Sequence, residues 1–217
     1  DRGAAYLIEY PTELMKEKFC YLKDLIEKKI GCKVITHRAG RWTINEEYIK
    51  ILEDTGIKYD CTMTPGISWS ACEGITPGSQ GSNYLNKSYK RQTVGNDIIE
   101  YPMTVFKTNT FIIPKKITPK SCARNFRNYV KKTPIWLRPN TNENLNEMKN
   151  ILNRIIKNGD EYAEFMIHSS EFMPGGGPKH QGETEVMKLF ETMDELFKYA
   201  YEQGFRGYTF DTWEGRK

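Results

Sequence analysis

The sequence predicts an α/β protein, in which strands and helices alternate along the chain around a parallel sheet or barrel. The clearest observation is a strand–helix–strand segment near the N-terminus. The runs "CKVITH" and "IKYDCTM" are typical of strands, and "NEEYIKILEDTG" lies between them. Asn45 can cap this helix and Gly56 can end it. Because βαβ units have right-handed crossovers, the two strands are expected to be parallel.

The same alternation continues to the end of the chain. Residues 11–30 place apolar side chains at helical spacing, with Pro11 suited to the first turn and Gly31 to the C-cap. Further helices are predicted at residues 118–132, 142–159 and 183–204, and further strands at residues 98–106, 134–139, 163–168 and 206–213. Residues 70–97 are rich in Gly, Ser, Asn and Tyr, and we expect a functional loop or a lid there.

Composition limits the class of protein. A chain of 217 residues with 38% hydrophobic residues is long enough to bury a core, and one domain spanning residues 1–217 is predicted. The net charge of +4 is spread along the chain, which argues against a nucleic-acid binder. The five cysteines form no CxxC pair and are expected to be mostly reduced core residues, which favours the cytoplasm. No apolar run approaches the roughly 18 residues of a membrane span.

In parallel α/β folds the functional site lies at the C-terminal ends of the strands. In this chain those ends carry charged residues from several different strands, which should therefore converge on one face. These residues are Arg38, Arg41, Asp60, Arg138, His168 and Asp211.

Several of these residues also have an ordinary structural interpretation. His168 is a candidate general acid or base, or else a half-buried histidine bonded to a carbonyl. Arg38 and Arg41 could hold a carboxylate or another anion, or could simply lie on the surface. Asp60 could orient an imidazole, hold an arginine, or bond the backbone of a turn.

Other polar features are weaker candidates. Asp211 and Glu214 have capping-box spacing, which favours a helix start. His37 should point to the opposite side of its strand from Arg38, and His180 lies in a Gly- and Pro-rich loop where exposure is expected. No two histidines have metal-ligand spacing, and "PGGGP" lacks the Gly-Lys-Ser/Thr of a phosphate loop.

Five motifs, in this order, resemble the NodB-type polysaccharide deacetylase superfamily, in the branch associated with surface-polysaccharide gene clusters. They are "HRAGRW", "YDCTMTPG", "IIEYPMTV", "WLRPN" and "MIHSSEFMPGG". The resemblance implies a distorted (β/α) barrel. It also implies a metal-dependent hydrolase that removes N-acetyl groups from amino sugars of a polysaccharide, with zinc as the expected divalent metal.

The resemblance implies a role for each matching residue. Arg38 matches the arginine that orients the catalytic aspartate, Asp60 the carboxylate that tunes the catalytic acid, and His168 the acid itself. Arg138 matches a position at the sugar-binding mouth.

Aromatic and basic residues near these positions are expected to bind the sugar. Arg41 and Trp42 end the first motif, and Trp69 precedes the loop at residues 70–97. If that loop is a lid, Trp69 and Tyr84 offer faces on which a sugar could stack.

The chain also departs from the family's pattern. Gly40, Arg41 and Trp42 stand where the family usually has a proline followed by an aromatic residue. The family's paired aspartates and paired histidines are not found, so the chain resembles the C-terminal part of a deacetylase. We expect an N-terminal segment or a partner subunit to supply them. Asp1 should then enter beside an open sheet edge or a partner, with no metal held by three side chains of this chain.

Two other functions stay open. A non-catalytic member of the same fold would keep the groove as a carbohydrate-binding module. A nucleic-acid or anion binder would use Arg38, Arg41 and Arg138, although the modest net charge of +4 makes this the weakest of the three hypotheses.

Overall fold

The computed structural model describes residues 3–111, 130–139 and 144–214. Its helices are α1 (Thr12–Ile30), α2 (Glu46–Asp54), α3 (Leu145–Asn158), α4 (Glu183–Glu202) and α5 (Phe210–Glu214). Its strands are β1 (Thr36–His37), β2 (Tyr59–Asp60), β3 (Gln92–Val94), β4 (Ile98–Glu100), β5 (Val105–Phe111) and β6 (Val130–Trp136). The fold is therefore mixed α/β, as the sequence predicts.

The chain divides into two compact units. The first comprises Asp1–Met103 and Gly207–Lys217, and the second comprises Thr104–Arg206.

The two N-terminal helices begin and end where the sequence predicts. Pro11 precedes α1, and Gly31 ends it in the left-handed conformation with φ 77°. Asn45 caps α2 because its side-chain oxygen accepts a hydrogen bond from the Tyr48 N–H at 2.9 Å. Both helices bury apolar faces in one core, which consists of Met15, Phe19, Ala39, Tyr48, Ile51, Leu52, Ile57 and Ile98.

The first unit contains a four-stranded sheet in the order β1-β2-β4-β3. β1, β2 and β4 are parallel, which confirms the predicted βαβ unit, and β3 pairs antiparallel with β4. His37 pairs in register with Asp60, and Asp60 with Glu100. In the described part of the chain, β1 pairs only with β2 and so forms one edge of this sheet. Asp1, which was expected near such an edge, lies outside the described residues.

The second unit is built on the antiparallel pair β5 and β6, which is in register from Val105 opposite Trp136 to Phe111 opposite Val130. Helices α3 and α4 pack together beside it. Their apolar faces form a second core of Leu137, Met148, Ile151, Leu152, Ile155 and Leu196. The predicted helices at residues 142–159 and 183–204 are confirmed where the structure describes them.

Three predicted strands differ from the structure. The predicted strand at residues 98–106 is two strands, β4 and β5, separated by residues 101–104, which include Pro102 and its missing N–H. Residues 163–168 form no strand, although the Met166 N–H donates to the Leu137 carbonyl at 3.2 Å. The predicted strand at residues 206–213 is wrong, because α5 begins at Phe210.

The sequence of α5 explains this last difference. The Thr209 and Thr212 side chains bond each other's backbone N–H groups, and Phe210 stacks on Tyr59 with ring centroids 5.1 Å apart. Asp211 lies in the first turn of this helix, one residue after its start at Phe210, so it stands near a helix start but not at the cap position that its spacing to Glu214 predicts.

The remaining fold predictions are settled only in part. Residues 118–129 of the predicted helix at 118–132 lie outside the described residues, and residues 130–132 belong to β6. The described strands form two separate sheets and no closed barrel. No helix in the described ranges is both long enough and apolar enough to cross a membrane.

The cysteines are less buried than expected. Cys20, Cys32, Cys61 and Cys72 are all free thiols, but only Cys61 is buried. The prediction of core cysteines is wrong for Cys32 and Cys72, which lie in exposed turns after α1 and in the loop at residues 70–97. Cys122 lies outside the described residues.

Candidate functional site

Three ionisable side chains form a row across the parallel strands of the first unit. His37, Asp60 and Glu100 are the last residues of β1, β2 and β4, and they are in register. Because paired residues of parallel strands point to the same face, this row lies on one face at the carboxyl end of the sheet. Asp60 and Glu100 are 2% and 0% exposed, so two carboxyl groups lie in the interior of the unit.

His37 holds Asp60 in place. The His37 Nδ1 lies 2.8 Å from Asp60 Oδ1, and its Nε2 lies 2.8 Å from the Tyr48 hydroxyl. Because a carboxylate only accepts, the proton on Nδ1 is directed at Asp60. Burial raises the pKa of Tyr48, whose hydroxyl lies at hydrogen-bond distance from Nε2. Asp60 therefore orients an imidazole, as one of its predicted roles required, and the imidazole is that of His37.

The surroundings of this pair are buried and hydrogen-bonded. The Thr62 hydroxyl donates to Asp60 Oδ1 at 2.7 Å and accepts from the Ala39 N–H at 2.9 Å. The Phe19 ring lies edge-on to the His37 ring, with centroids 5.7 Å apart. The hydrogen bonds therefore connect β1, β2 and the segment after β1 in one buried network.

Arg38 follows His37 and is exposed. Its Nε donates to the Cys61 carbonyl at 3.2 Å, and its guanidinium lies 5.6 Å from the centroid of the Trp42 ring. This is a cation–π contact at the surface of the unit. The pair presents a flat cationic and aromatic surface just beyond the carboxyl end of β1.

Arg41 and Trp42 have a strained backbone. Their φ angles are 54° and 58°, in the left-handed region that costs side-chain-bearing residues roughly 1–2 kcal/mol each. The Tyr84 hydroxyl donates to the Trp42 carbonyl at 2.7 Å, and the Thr43 hydroxyl donates to the Arg41 carbonyl at 3.0 Å. Strain of this kind concentrates at functional sites. A proline could not occupy position 41, because its ring fixes φ near −65°.

The predicted sugar-stacking role of Tyr84 is wrong. Tyr84 is 3% exposed, and burial raises the pKa of its hydroxyl, which is bonded to Trp42. Trp69 is half-buried, and its indole N–H donates to Thr64 Oγ1 at 2.8 Å. Trp69 therefore keeps an accessible part, whereas Tyr84 packs inside the unit.

The loop at residues 70–97 is tied to the rest of the first unit. The Ile75 and Thr76 N–H groups donate to Glu9 Oε2 at 2.8 and 2.7 Å, and the Tyr6 hydroxyl donates to the Cys72 carbonyl at 2.8 Å. The backbone N–H of Trp69 also donates to the Ser82 carbonyl at 2.9 Å. These contacts hold the start of the loop firmly. Its role as a lid remains a prediction.

Arg138 and His168 lie in the second unit, where Glu171 connects them. Glu171 Oε1 accepts from Arg138 Nη2 at 2.7 Å and from the His168 backbone N–H at 3.0 Å. Glu171 is 7% exposed, whereas the His168 side chain is exposed. The half-buried alternative for His168 is therefore wrong, and its imidazole is accessible to a ligand.

The glycine-rich loop after His168 buries His180. Gly175 has φ 76° and donates to the His180 carbonyl at 2.8 Å, and a Cβ on Gly176 would overlap the Ser170 carbonyl oxygen. This close return of the chain leaves His180 only 1% exposed, so its predicted exposure is wrong. The "PGGGP" run makes a close backbone turn that requires glycine.

The predicted site residues are thus distributed over both units. Arg38, Arg41, Trp42, Asp60 and Trp69 lie in the first unit, and Arg138 and His168 lie in the second. The tuning of His168 by Asp60 concerns residues of different units and remains a prediction.

Sequence reasoning undervalued His37 and missed Glu100 and Glu171. His37, Asp60 and Glu100 each end a strand, so the last residue of each strand was a usable signal for the row. Glu171 stands three residues after His168, which is the spacing of a capping box.

Within the described ranges, no group of three His, Cys, Asp or Glu side chains is placed to hold a metal ion. The described residues therefore do not fit the divalent metal that the family resemblance implies.

Comparison of the chain with the families of known proteins, with curated proteins and with solved structures found no match.

Proposed function

We propose that this chain belongs to a hydrolase that removes N-acetyl groups from amino sugars of a polysaccharide, on a distorted barrel of the polysaccharide deacetylase type. The observation that carries the proposal is Asp60, buried at the carboxyl end of a parallel strand and held by His37 and Thr62 beside the exposed Arg38. Catalytic groups in α/β folds occupy such strand ends.

The chemistry assigns distinct tasks to the chain's own residues. Hydrolysis of an N-acetyl group releases acetate and an amine, and the departing nitrogen must receive a proton. His168 supplies that proton in the proposed mechanism, since its imidazole is exposed and its backbone is held by Glu171. Trp42 binds the substrate at the surface of the first unit, where its ring can lie against a sugar face, and the neighbouring Arg38 orients the catalytic aspartate.

The family resemblance implies zinc or another divalent metal. Since the described residues offer no ligand set for it, no catalytic step is assigned to a metal. The proposal places the metal ligands and the general base on an N-terminal segment or a partner subunit, and the protein in the cytoplasm, where its free thiols stay reduced.

A carbohydrate-binding module is the second candidate function. It is favoured by the strained turn at Arg41 and Trp42, which presents a cationic and an aromatic side chain without requiring any reaction. This hypothesis needs the surface formed by Arg38, Arg41 and Trp42 but not His168.

The experiment that separates the two functions measures acetate and free amine. The protein, expressed from its complete gene, is incubated with N-acetylated amino-sugar oligosaccharides, with and without added divalent metals. Equal amounts of acetate and amine support the hydrolase. Saturable sugar binding without either product supports the binding module, and the absence of both binding and products contradicts both.

A further inference from the structure

Glu171 has an unusual environment for a carboxylate in a short 3₁₀ segment. The segment spans Ser169–Phe172, and Glu171 is 7% exposed. Its Oε1 atom accepts two hydrogen bonds, one from Arg138 Nη2 and one from the His168 N–H. A buried carboxylate requires such compensation, and Arg138 provides the opposite charge.

The bond to the His168 N–H determines where the imidazole projects. His168 has an extended backbone with φ −88° and ψ 139°, and it immediately precedes the 3₁₀ segment. Its side chain is exposed and extends from a main chain that Glu171 fixes. Loss of that bond would leave His168 without this anchor.

The segment is also held from its other side. Phe172 stacks on Phe190 of α4 with ring centroids 5.3 Å apart. A Cβ added at Gly177 would lie 3.4 Å from Glu171 Cγ, so the glycine-rich loop packs directly on the glutamate. His180 Nδ1 lies 3.8 Å from Glu171 Oε2, which leaves little space for the carboxylate to turn. Glu171 is therefore fixed by its neighbours while it fixes His168.

We infer that Glu171 is a positioning residue for His168: its carboxylate, charge-compensated by Arg138, fixes the main chain from which the imidazole meets the substrate. The inference rests on the proposed function in so far as it concerns turnover. It also changes the interpretation of Arg138 from a sugar-binding residue to a residue that holds Glu171, because Arg138 Nη2 donates to the Glu171 carboxylate.

The chain provides a matched control. Glu185 accepts a hydrogen bond from the Gly182 N–H at 3.0 Å, which is the same contact at the same spacing of three residues. Glu185 lies in the first turn of α4 and has no part in the proposed mechanism. Glu171→Ala and Glu185→Ala therefore remove the same kind of bond, one at His168 and one away from it.

The test measures kcat, KM and the hydrogen-exchange rate of the His168 amide in the protein expressed from its complete gene. Glu171→Ala should lower kcat about tenfold or more, leave KM within about threefold, and speed His168 exchange about tenfold. Glu171→Gln keeps an acceptor oxygen and should recover part of both losses. Glu185→Ala should leave kcat and His168 exchange unchanged.

Each alternative outcome has a defined meaning. If kcat of a folded Glu171→Ala protein stays within about twofold of wild type, or if Glu185→Ala lowers kcat equally, the inference is overturned. If Glu171→Ala does not fold, Glu171→Gln decides the test alone. It must then lower kcat and speed the exchange of the His168 amide. If the wild type turns over no sugar, the proposed function fails, and unchanged His168 exchange in the Glu171 variants would separately overturn the positioning role.

Discussion

Asp60 accepts hydrogen bonds from His37 and Thr62 through a single carboxylate oxygen while it is 2% exposed. Removal of the carboxylate would leave a buried imidazole N–H and a buried hydroxyl without an acceptor. We expect Asp60→Ala to lower the free energy of unfolding by about 2–4 kcal/mol, measured by urea denaturation. Asp54→Ala is the control, because the exposed Asp54–Lys16 pair should contribute less than about 1 kcal/mol. An equal loss in both variants would contradict the importance of the His37 network.

Gly176 is the glycine of the second unit at which an added methyl group should destabilise the fold most. A Cβ there would overlap the Ser170 carbonyl oxygen, and backbone atoms cannot move aside as a side chain can. Gly176→Ala should lower the free energy of unfolding by about 1–3 kcal/mol. Gly207→Ala meets no atom within 4 Å and should change it by less than about 0.5 kcal/mol. A neutral Gly176→Ala would mean that the loop turns differently from the path described.

Among the elements, the loop at residues 70–97 depends on Glu9. The Thr76 backbone N–H, with those of Tyr6 and Ile75, holds the pKa of Glu9 below its ordinary value of 4.5. Because the folded-state pKa is the lower one, the stabilisation is complete above about pH 4.5 and is lost as the pH falls through the folded pKa. The difference in unfolding midpoint between wild type and Glu9→Gln should therefore shrink as the solution is acidified below that pH.

Glu17→Gln provides the comparison for this acid titration. Glu17 is exposed on α1, and its replacement controls for the loss of one surface carboxylate. A Glu9→Gln difference that stays constant from neutral pH to the acid range would show that the carboxylate charge does not hold the loop.

Helix α2 depends on its cap. Asn45 satisfies the Tyr48 N–H, and Tyr48 in turn bonds His37, so the cap supports the row of ionisable residues through one helix turn. Asn45→Ala should lower the free energy of unfolding by about 1 kcal/mol, and Asn45→Ser should restore most of it. If the alanine and serine variants unfold at the same denaturant concentration, the cap contributes little.

The elements that the sequence predicts well are those whose signals are local. Asn45 and Gly31 act on their own helices, so α1 and α2 could be placed closely from the sequence. The strand predicted at residues 206–213 failed because a short apolar run has the same pattern in a strand and in a helix turn, and contact with Tyr59 favoured the helix.

The candidate site shows the same limit. Asp60 was found from its motif, but its partner His37 was set aside, because the pairing depends on strand register rather than on sequence spacing. His180 was expected to be exposed because it lies in a Gly- and Pro-rich loop. Its burial follows from the close approach of Gly176 to Ser170, which the sequence does not show. Features that depend on contacts between distant parts of the chain, such as the His37–Asp60 pair and the burial of His180, could therefore not be predicted from the sequence.

At the scale of the whole molecule, each unit has its own core and carries part of the predicted site. The first unit contributes Arg38 and Asp60, and the second contributes Arg138 and His168. A mechanism that uses residues of both units therefore requires the whole chain. Its central claim is that His168 donates the proton.

The most direct measurement of the central claim is the kcat of His168→Ala for acetate release from an N-acetylated amino-sugar oligosaccharide. The neighbouring exposed Ser169 provides the control variant Ser169→Ala, and circular dichroism checks that both proteins fold. The account predicts that His168→Ala loses about 10²–10⁴-fold in kcat with an intact fold, whereas Ser169→Ala keeps wild-type activity. A folded His168→Ala protein whose kcat stays within about threefold of wild type would contradict the account.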